Sequence, residues 1–395
     1  MPGSNPSFDA DRICKTLTIH RTDSDTVTLP LLEGIFPPDS HIDRIAMRPD
    51  DYEAILGLPG GREVTVELRG GRTARECRAG RRVVYLDQNQ WSALSRWEYD
   101  RGGLPQTEAR AAERLVGAVA TSEVVLAASG GVFVETGPLF GARRVELAST
   151  VLTHSRGWQM RNPLHVRVEE LRLALAGQDP IAAEVFSPNA DELFASASQH
   201  GPATDLPPPL AELSREMVGV LALYETLIES EAIPDQGGED GSAGWAKGFA
   251  DLSEQLHADA ASQALTRQVT QYRLLFDMAD DVARAGASLG LEPDKVVERL
   301  SASDDLIRQM PFVSRVREVL FARLRNAGQP WEANDLVDIM FLCCAAGYAD
   351  VLVGERQTIG YLRQARNVPP GSRLGRTLRE AIEQIDTLDG SGLSA

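Results

Sequence analysis

Five carboxylates sit where the chain could put them to chemical use. Asp87 ends the apolar run Val83-Val84-Tyr85-Leu86. Glu135 lies one helical turn past the run 123–129 and the turn Gly130-Gly131. Asp335 and Asp338 head an apolar helix, three residues apart and so on one face. Glu355 follows the short run 350–354. Each acid stands at the exit of a buried strand or near a helix start, and in open α/β sheets that edge is where ligands bind. If these strands are neighbours, the acids converge. Carboxylates held that close cannot all stay ionised without a counter-charge, and a divalent cation supplies one. Oxygen-only ligands select Mg²⁺ or Mn²⁺ over zinc. In two-metal sites the ions lie roughly 3.5–4 Å apart and activate water for in-line attack on a phosphodiester. The chemistry this pattern implies is metal-assisted hydrolysis.

Each residue also has an ordinary reading when taken alone. Asp87 and Asn89 are good turn or cap residues. Asp335 is a favourable first-turn acid beside the helix dipole. Asp338 is harder to explain this way, because it precedes Ile339-Met340-Phe341-Leu342, a face that should be buried. The functional reading rests on the joint order and placement of the acids.

The elements that must position them fall into four stretches. Residues 1–80 read as a small β-rich unit. Alternating segments cover 16–20, 26–32 and 63–70, and a short helix is expected after Pro49 within 43–58. Residues 81–186 alternate strand and helix: strands at 83–86 and 123–129, helices near 90–98, 107–120, 142–154 and 164–176. That alternation implies a parallel sheet with crossovers. Residues 187–310 change character. Asn189, Pro202 and Pro207 to Pro209 punctuate the start, a polar loop is expected over 233–245, and 208–231, 246–286 and 291–308 have helical periodicity. This stretch reads as a helical insertion. Its acidic part, 235–241, lacks the ligand spacing of a calcium loop. Residues 311–390 return to α/β patterning, with a helix ending near Gly328, a second from Glu332 or Asn334 to Gly347, a strand at 350–354 and a helix from 357. The tail from 389 is expected to be disordered.

Composition narrows the classes. The 395 residues suffice for two or three domains. No apolar run approaches the roughly 18 residues of a membrane span, and the N-terminal residues lack the apolar core of a signal peptide, so a cytoplasmic protein is expected. Cys14, Cys77, Cys343 and Cys344 show no zinc spacing and read as reduced, mostly buried thiols. The six histidines form no metal-type pair. A net charge of −17 argues against a general nucleic-acid-coating protein but leaves room for an enzyme with a local basic groove. The only lysines are Lys15, Lys247 and Lys295. Among the arginines, Arg96, Arg143, Arg144, Arg156 and Arg161 are candidates for phosphate contacts.

With those residues in hand, the chain resembles the PIN-domain nuclease superfamily over about 82–175 and 311–370. That family opens with a hydrophobic strand ending in Asp-x-Asn, matched by Asp87 and Asn89. Its second acid follows a Ser and precedes a Thr, matched by Ser129, Glu135 and Thr136. Its third acid begins a helix of small and apolar residues leading into a short strand, matched by Asp338 with Asp335 one turn earlier. The strand reading Leu86-Asp87-Gln88-Asn89 is similar to bacterial PIN-like proteins. Two positions depart from the pattern. Gly354 stands where the family carries Thr or Ser, and Arg356 takes one of two places for the last acid, leaving Glu355 for it. The resemblance implies a PIN-like three-layer α/β/α fold with a mostly parallel central sheet, joined to the N-terminal unit and the helical insertion. It implies a Mg²⁺- or Mn²⁺-dependent endoribonuclease with Asp87, Glu135, Asp338 and Glu355 catalytic. The same four and Asp335 would be metal ligands, supported by Asn89 and Ser129. Arg96, Arg143 and Arg144 would contact RNA. A regulatory protein partner or a homodimer is compatible with it. The alternatives are an inactive PIN-like module that binds RNA or protein, and a haloacid-dehalogenase-type phosphatase, which would need Asp where Asn89 stands.

Overall fold

The computed structural model describes residues 7–20, 25–31, 36, 40–136, 139, 141–188, 216, 219, 224, 227, 238–301 and 303–391. Most of the expected helix over 208–231, the Pro-rich stretch 189–209 before it and the last four residues lie outside this set.

The N-terminal unit is a six-stranded antiparallel sheet. Its strands are β1 (Ser7–Asp11), β2 (Thr16–His20), β3 (Thr26–Pro30), β4 (Arg44–Arg48), β5 (Glu53–Leu58) and β6 (Arg62–Glu67), in the order β3-β2-β1-β4-β5-β6. The helix expected after Pro49 is a hairpin instead. β5 alternates half-buried and buried residues along its whole length, with Ala54, Leu56 and Leu58 turned inward. Tyr52 closes the turn in the left-handed region at φ 55°. A two-residue alternation beside a tight turn outweighs helix propensity once one face can be buried.

The second sheet is parallel throughout. β7 (Arg82–Leu86) pairs with β8 (Val124–Ala127) and β11 (Val351–Val353), and β11 pairs with β12 (Arg373–Gly375), giving the order β12-β11-β7-β8. A two-stranded antiparallel pair, β9 (Gln159–Met160) and β10 (Phe186–Ser187), adjoins the end of β8 through a parallel bridge between Ala128 and Gln159. In the parallel sheet alternate side chains go to different cores. Val84, Leu86, Leu126 and Val353 join one apolar cluster with Trp91 and Leu115. Val83, Tyr85, Val125 and Leu352 join the other with Phe312 and Cys343. A strand buried on both faces reads as a continuous apolar run, as the sequence of β7 does.

Helices connect and flank these strands. α1 (Ala74–Arg78) leads into β7. α2 (Gln88–Tyr99) and α3 (Gln106–Ala120) join β7 to β8, and α4 (Gly130–Thr136), α5 (Gly141–Ser155) and α6 (Pro163–Leu175) follow β8. The insertion is helical where it is described: α7 (Gly238–His257), α8 (Ala260–Ala264), α9 (Thr266–Asp277), α10 (Ala279–Ser288), α11 (Pro293–Ser301) and α12 (Ser303–Gln309). The polar loop expected over 233–245 is therefore helix from Gly238 onward. α13 (Pro311–Leu324), α14 (Asp335–Tyr348), α15 (Arg356–Gln364) and α16 (Leu378–Ser391) complete the chain. The short β12 and the long α16 were not expected from sequence. Among the described residues no helix is long and apolar enough to cross a membrane.

The two sheets are joined by a hub at Glu67. Arg81 donates to both of its carboxylate oxygens, at 2.8 and 2.7 Å, and Trp158 Nε1 donates at 2.9 Å. Arg156 Nη2 reaches Glu53 at 2.7 Å beside it.

Candidate active site

The parallel strands end level with one another. Leu86 of β7 is the partner of Val353 of β11, and Val353 is the partner of Gly375 of β12. The Asp87 amide then donates to the Val353 carbonyl at 3.0 Å, and the Gly354 amide to the Gly375 carbonyl at 3.1 Å. Asp87 and Glu355 therefore leave the sheet side by side. Asp87 also caps α2, its Oδ1 accepting from the Gln90 amide at 3.1 Å. The ordinary cap reading therefore holds for Asp87, and the same residue lines the cleft described below.

Glu135 arrives from the neighbouring strand. Beyond β8, Ser129 is fully buried; its hydroxyl pairs with the Tyr85 hydroxyl at 2.9 Å and accepts from the Val132 amide at 3.4 Å. Ser129 thus starts α4, which carries Glu135, from beneath the cleft. Thr136 is spent internally, donating to the Val132 carbonyl at 2.6 Å. Asp338 comes from the first turn of α14. A side chain at Gly131 would meet the Phe341 ring at 3.2 Å, so glycine there lets α4 and α14 approach.

Asp87, Glu135, Asp338 and Glu355 line one cleft of about 370 Å³, together with Tyr85, Gln88, Asn89, Asn334 and an apolar wall of Val132, Val337, Phe341 and Leu342. No Arg, Lys or His lines it among the described residues. The electrostatics follow from that. Asp87, half-buried, is raised to about 7, first by lost hydration and then by repulsion from Asp338 and Glu355, with the Gln90 and Asn89 amides opposing. Asp338 is raised to about 6 by burial and by repulsion from Glu355 and Asp335. Glu135 is also raised, by hydration lost to the cleft wall and by repulsion from Asp338, Asp87 and Glu355, although the residue as a whole remains exposed. Below the cleft, burial drives the Tyr85 hydroxyl far above its ordinary value, so it stays protonated.

No family model, curated protein or solved structure matches the chain.

Asp335 and three of the candidate arginines are engaged outside the cleft, while Ser129 supports it. Asp335 forms an ion pair with the buried Arg323, which lies 4.3 Å from the Trp331 ring centroid, and it accepts from the Glu332 amide at 2.5 Å. Its carboxylate closes the turn before α14 and does not line the cleft. Ser129 supports from below without reaching the cleft surface. Arg144 is buried, and its Nε donates to the Leu227 carbonyl at 3.2 Å, so it does not present a phosphate-binding surface. Arg156 and Arg161 are likewise engaged, with Glu53 and with the Glu184 carbonyl. Arg96 and Arg143 are exposed in a neighbouring cavity of about 710 Å³ that shares Asn89 with the carboxylate cleft.

Gly354 has a steric explanation. A Cβ there would lie 3.1 Å from Leu342 Cδ2 and 3.4 Å from Ile359 Cδ1. Leu342 and Ile359 fill the space that a side chain there would need. Sequence reading missed Tyr85, Gln88, Asn334 and Phe341 as lining residues. Tyr85 lies inside the strand motif and Asn334 next to Asp335, so adjacency to the acids was the available signal.

As placed, no three His, Cys, Asp or Glu side chains among the described residues form a metal-holding group. The donor chemistry nevertheless fits a hard divalent cation: four carboxylates, no thiol or imidazole, and no basic side chain to neutralise them.

Proposed function

We propose that the protein is a Mg²⁺- or Mn²⁺-dependent endoribonuclease of PIN-like three-layer α/β/α architecture. One observation carries this reading: four carboxylates, delivered by four different elements at the C-terminal edge of a parallel sheet, share a cleft that no cationic side chain lines among the described residues. Asp87, Glu135, Asp338 and Glu355 would hold the metal. When bound, the metal offsets the repulsion among them and supplies a water acidic enough to attack a phosphodiester.

The chain's own groups do the rest. Asp87 and Asp338 titrate near neutrality, so either can hold a proton or give it up as the site loads. Val132, Val337, Phe341 and Leu342 keep bulk water off one side of the cleft and strengthen charge interactions within it. Asn89 and Gln88 present neutral amides at the mouth, where a polyanion would meet no further negative charge.

Purified protein should cut single-stranded RNA with Mn²⁺ or Mg²⁺ and stop on addition of EDTA. Asp87→Asn or Asp338→Asn should reduce cleavage by on the order of a thousandfold, with the circular dichroism spectrum unchanged. Undiminished cleavage in both variants would remove this assignment. A second reading, a non-catalytic module that binds RNA or protein, is favoured by Gly354, which stands where the resembled family carries Thr or Ser and is packed against Leu342 and Ile359. Calorimetric Mn²⁺ titration separates the two, because that module would show no divalent-ion binding.

A further inference from the structure

The sheet edge that delivers the acids also delivers cations. β11 and β12 end in register, so Arg356 and Arg376 emerge beside Glu355. A cavity of about 640 Å³ opens there, lined among others by Asn326, Gln329, Arg356, Gln357, Tyr361 and Arg376. It shares Glu355 with the carboxylate cleft, so the two adjoin. Its volume lies within the roughly 300–1,000 Å³ usual for a small-ligand site.

The wall is ordered and polar. The Tyr361 hydroxyl donates to Gln329 Oε1 at 2.6 Å and accepts from Asn326 Nδ2 at 3.2 Å. Gln90 Nε2 donates to the Arg376 carbonyl at 3.0 Å, which fixes the exit of β12 against the first turn of α2. Neither guanidinium has an ion-pair partner among the described residues, and Arg376 Nε is buried with no hydrogen-bond acceptor. Other arginines near this end of the molecule are ion-paired, as Arg323 is with Asp335 and Arg363 with Glu380. In a chain of net charge −17, two unpaired guanidiniums beside an anionic cleft mark the place where a polyanion is held locally against a repelling field.

The chemistry narrows the occupant. A guanidinium fork matches phosphate oxygens in two-point contact. The side-chain amides of Gln357 and Gln364 offer donor and acceptor together, as a base edge requires. Base edges are open to such reading in an unpaired strand, whereas the deep, narrow groove of an RNA duplex hides them. We propose that this cavity binds the nucleotide adjoining the scissile phosphate of single-stranded RNA, with Arg356 and Arg376 on its backbone phosphates. The assignment rests on the nuclease reading above and adds the residues that hold the strand beside the cut. It also accounts for Arg356. Where the resembled family can carry an acid, this chain carries a phosphate-binding cation.

The test uses full-length protein. Anisotropy of a fluorescein-labelled single-stranded oligoribonucleotide is followed over a salt series in the Asp87→Asn background, alone and with Arg356→Gln or Arg376→Gln. KM and kcat for cleavage are measured with the same substitutions and Asp87 intact. Each substitution should weaken binding about tenfold. Each should flatten the slope of log affinity against log salt by about 0.7 and raise KM more than it lowers kcat. Arg356→Lys, on an exposed residue, should retain the slope. A duplex RNA competitor should fail to displace the strand. Slopes and KM unchanged by both substitutions, in protein that binds and cuts, would overturn the subsite and leave the nuclease standing. Binding that depends on both arginines, without cleavage in Mn²⁺, would do the reverse. Neither binding nor cleavage would remove both.

Discussion

The raised carboxyls of the cleft make the protein's stability depend on pH, and under the proposed reading the affinity for a metal would respond in the opposite sense. In the folded protein Asp87 titrates at about 7 and Asp338 at about 6, above an ordinary carboxyl in the unfolded chain. Between the two values the folded state binds more protons, so metal-free stability is fully present at low pH and declines as pH rises through the folded pKa values. Melting of metal-free protein from about pH 5 to about pH 8 should show this decline. Asp87→Asn should raise metal-free stability at the upper end by on the order of 1 kcal/mol, a value reduced from the full shift because water reaches the cleft. Mn²⁺ must displace those protons, so its affinity should tighten over the same window, with proton release visible as buffer-dependent calorimetric heat. A flat affinity profile would mean that these carboxylates do not hold the ion. Asp335 shows how little a residue's type reveals alone: it has the placement of a ligand and is neutralised by Arg323.

The helix that carries Asp338 is held by another carboxylate. Glu170 of α6 is fully buried and accepts from the Phe312 amide at 2.7 Å, the Val313 amide at 3.0 Å and the Tyr348 hydroxyl at 2.6 Å. It thereby caps the first turn of α13 and anchors the end of α14. Burial raises it to about 7 despite these donors. Glu170→Ala would strand the Phe312 and Val313 amides, while the Tyr348 hydroxyl keeps the Pro180 carbonyl; it should cost roughly 2–4 kcal/mol, read as a lower urea midpoint, with Mn²⁺ affinity falling as α14 loosens. Elements of this length are legible in the chain: the apolar run of α14 and the β-branched run of β7 are strong local signals. Three of the four cysteines are buried, as their apolar neighbours suggest, and Cys14 is exposed. The hairpin at 44–58 was less legible, because five- and six-residue strands either side of a proline turn resemble a broken helix until the sheet that buries them is present.

Across the molecule, the antiparallel sheet and the α/β part meet at Glu67. Burial alone would raise that carboxyl; hydrogen bonds from Arg81 and Trp158 and the charges of Arg81 and Arg156 outweigh it and hold it below the ordinary value. The stabilisation is present above the unfolded pKa and is lost as pH falls through the folded one. Glu67→Ala should leave Arg81 and Trp158 Nε1 unpaired and cost about 2–3 kcal/mol at neutral pH, with the difference from the parent shrinking in acid. Equal destabilisation at all pH values would show that packing, not the charged hub, joins the two parts.

The strands that end in acids, their order and the helices between them could be read from the chain because each depends on neighbours within a few residues. Apolar periodicity and strand exits are local properties. Which charges remain available is not local. Arg323 takes Asp335, the Leu227 carbonyl takes Arg144, and Leu342 fills the space beside Gly354. β12, three residues long, is too short to show an alternation, yet its pairing with β11 brings Arg376 to Glu355. Competition among partners distant in sequence sorted the acids and arginines into structural and available ones, and that competition exists only once the chain has folded.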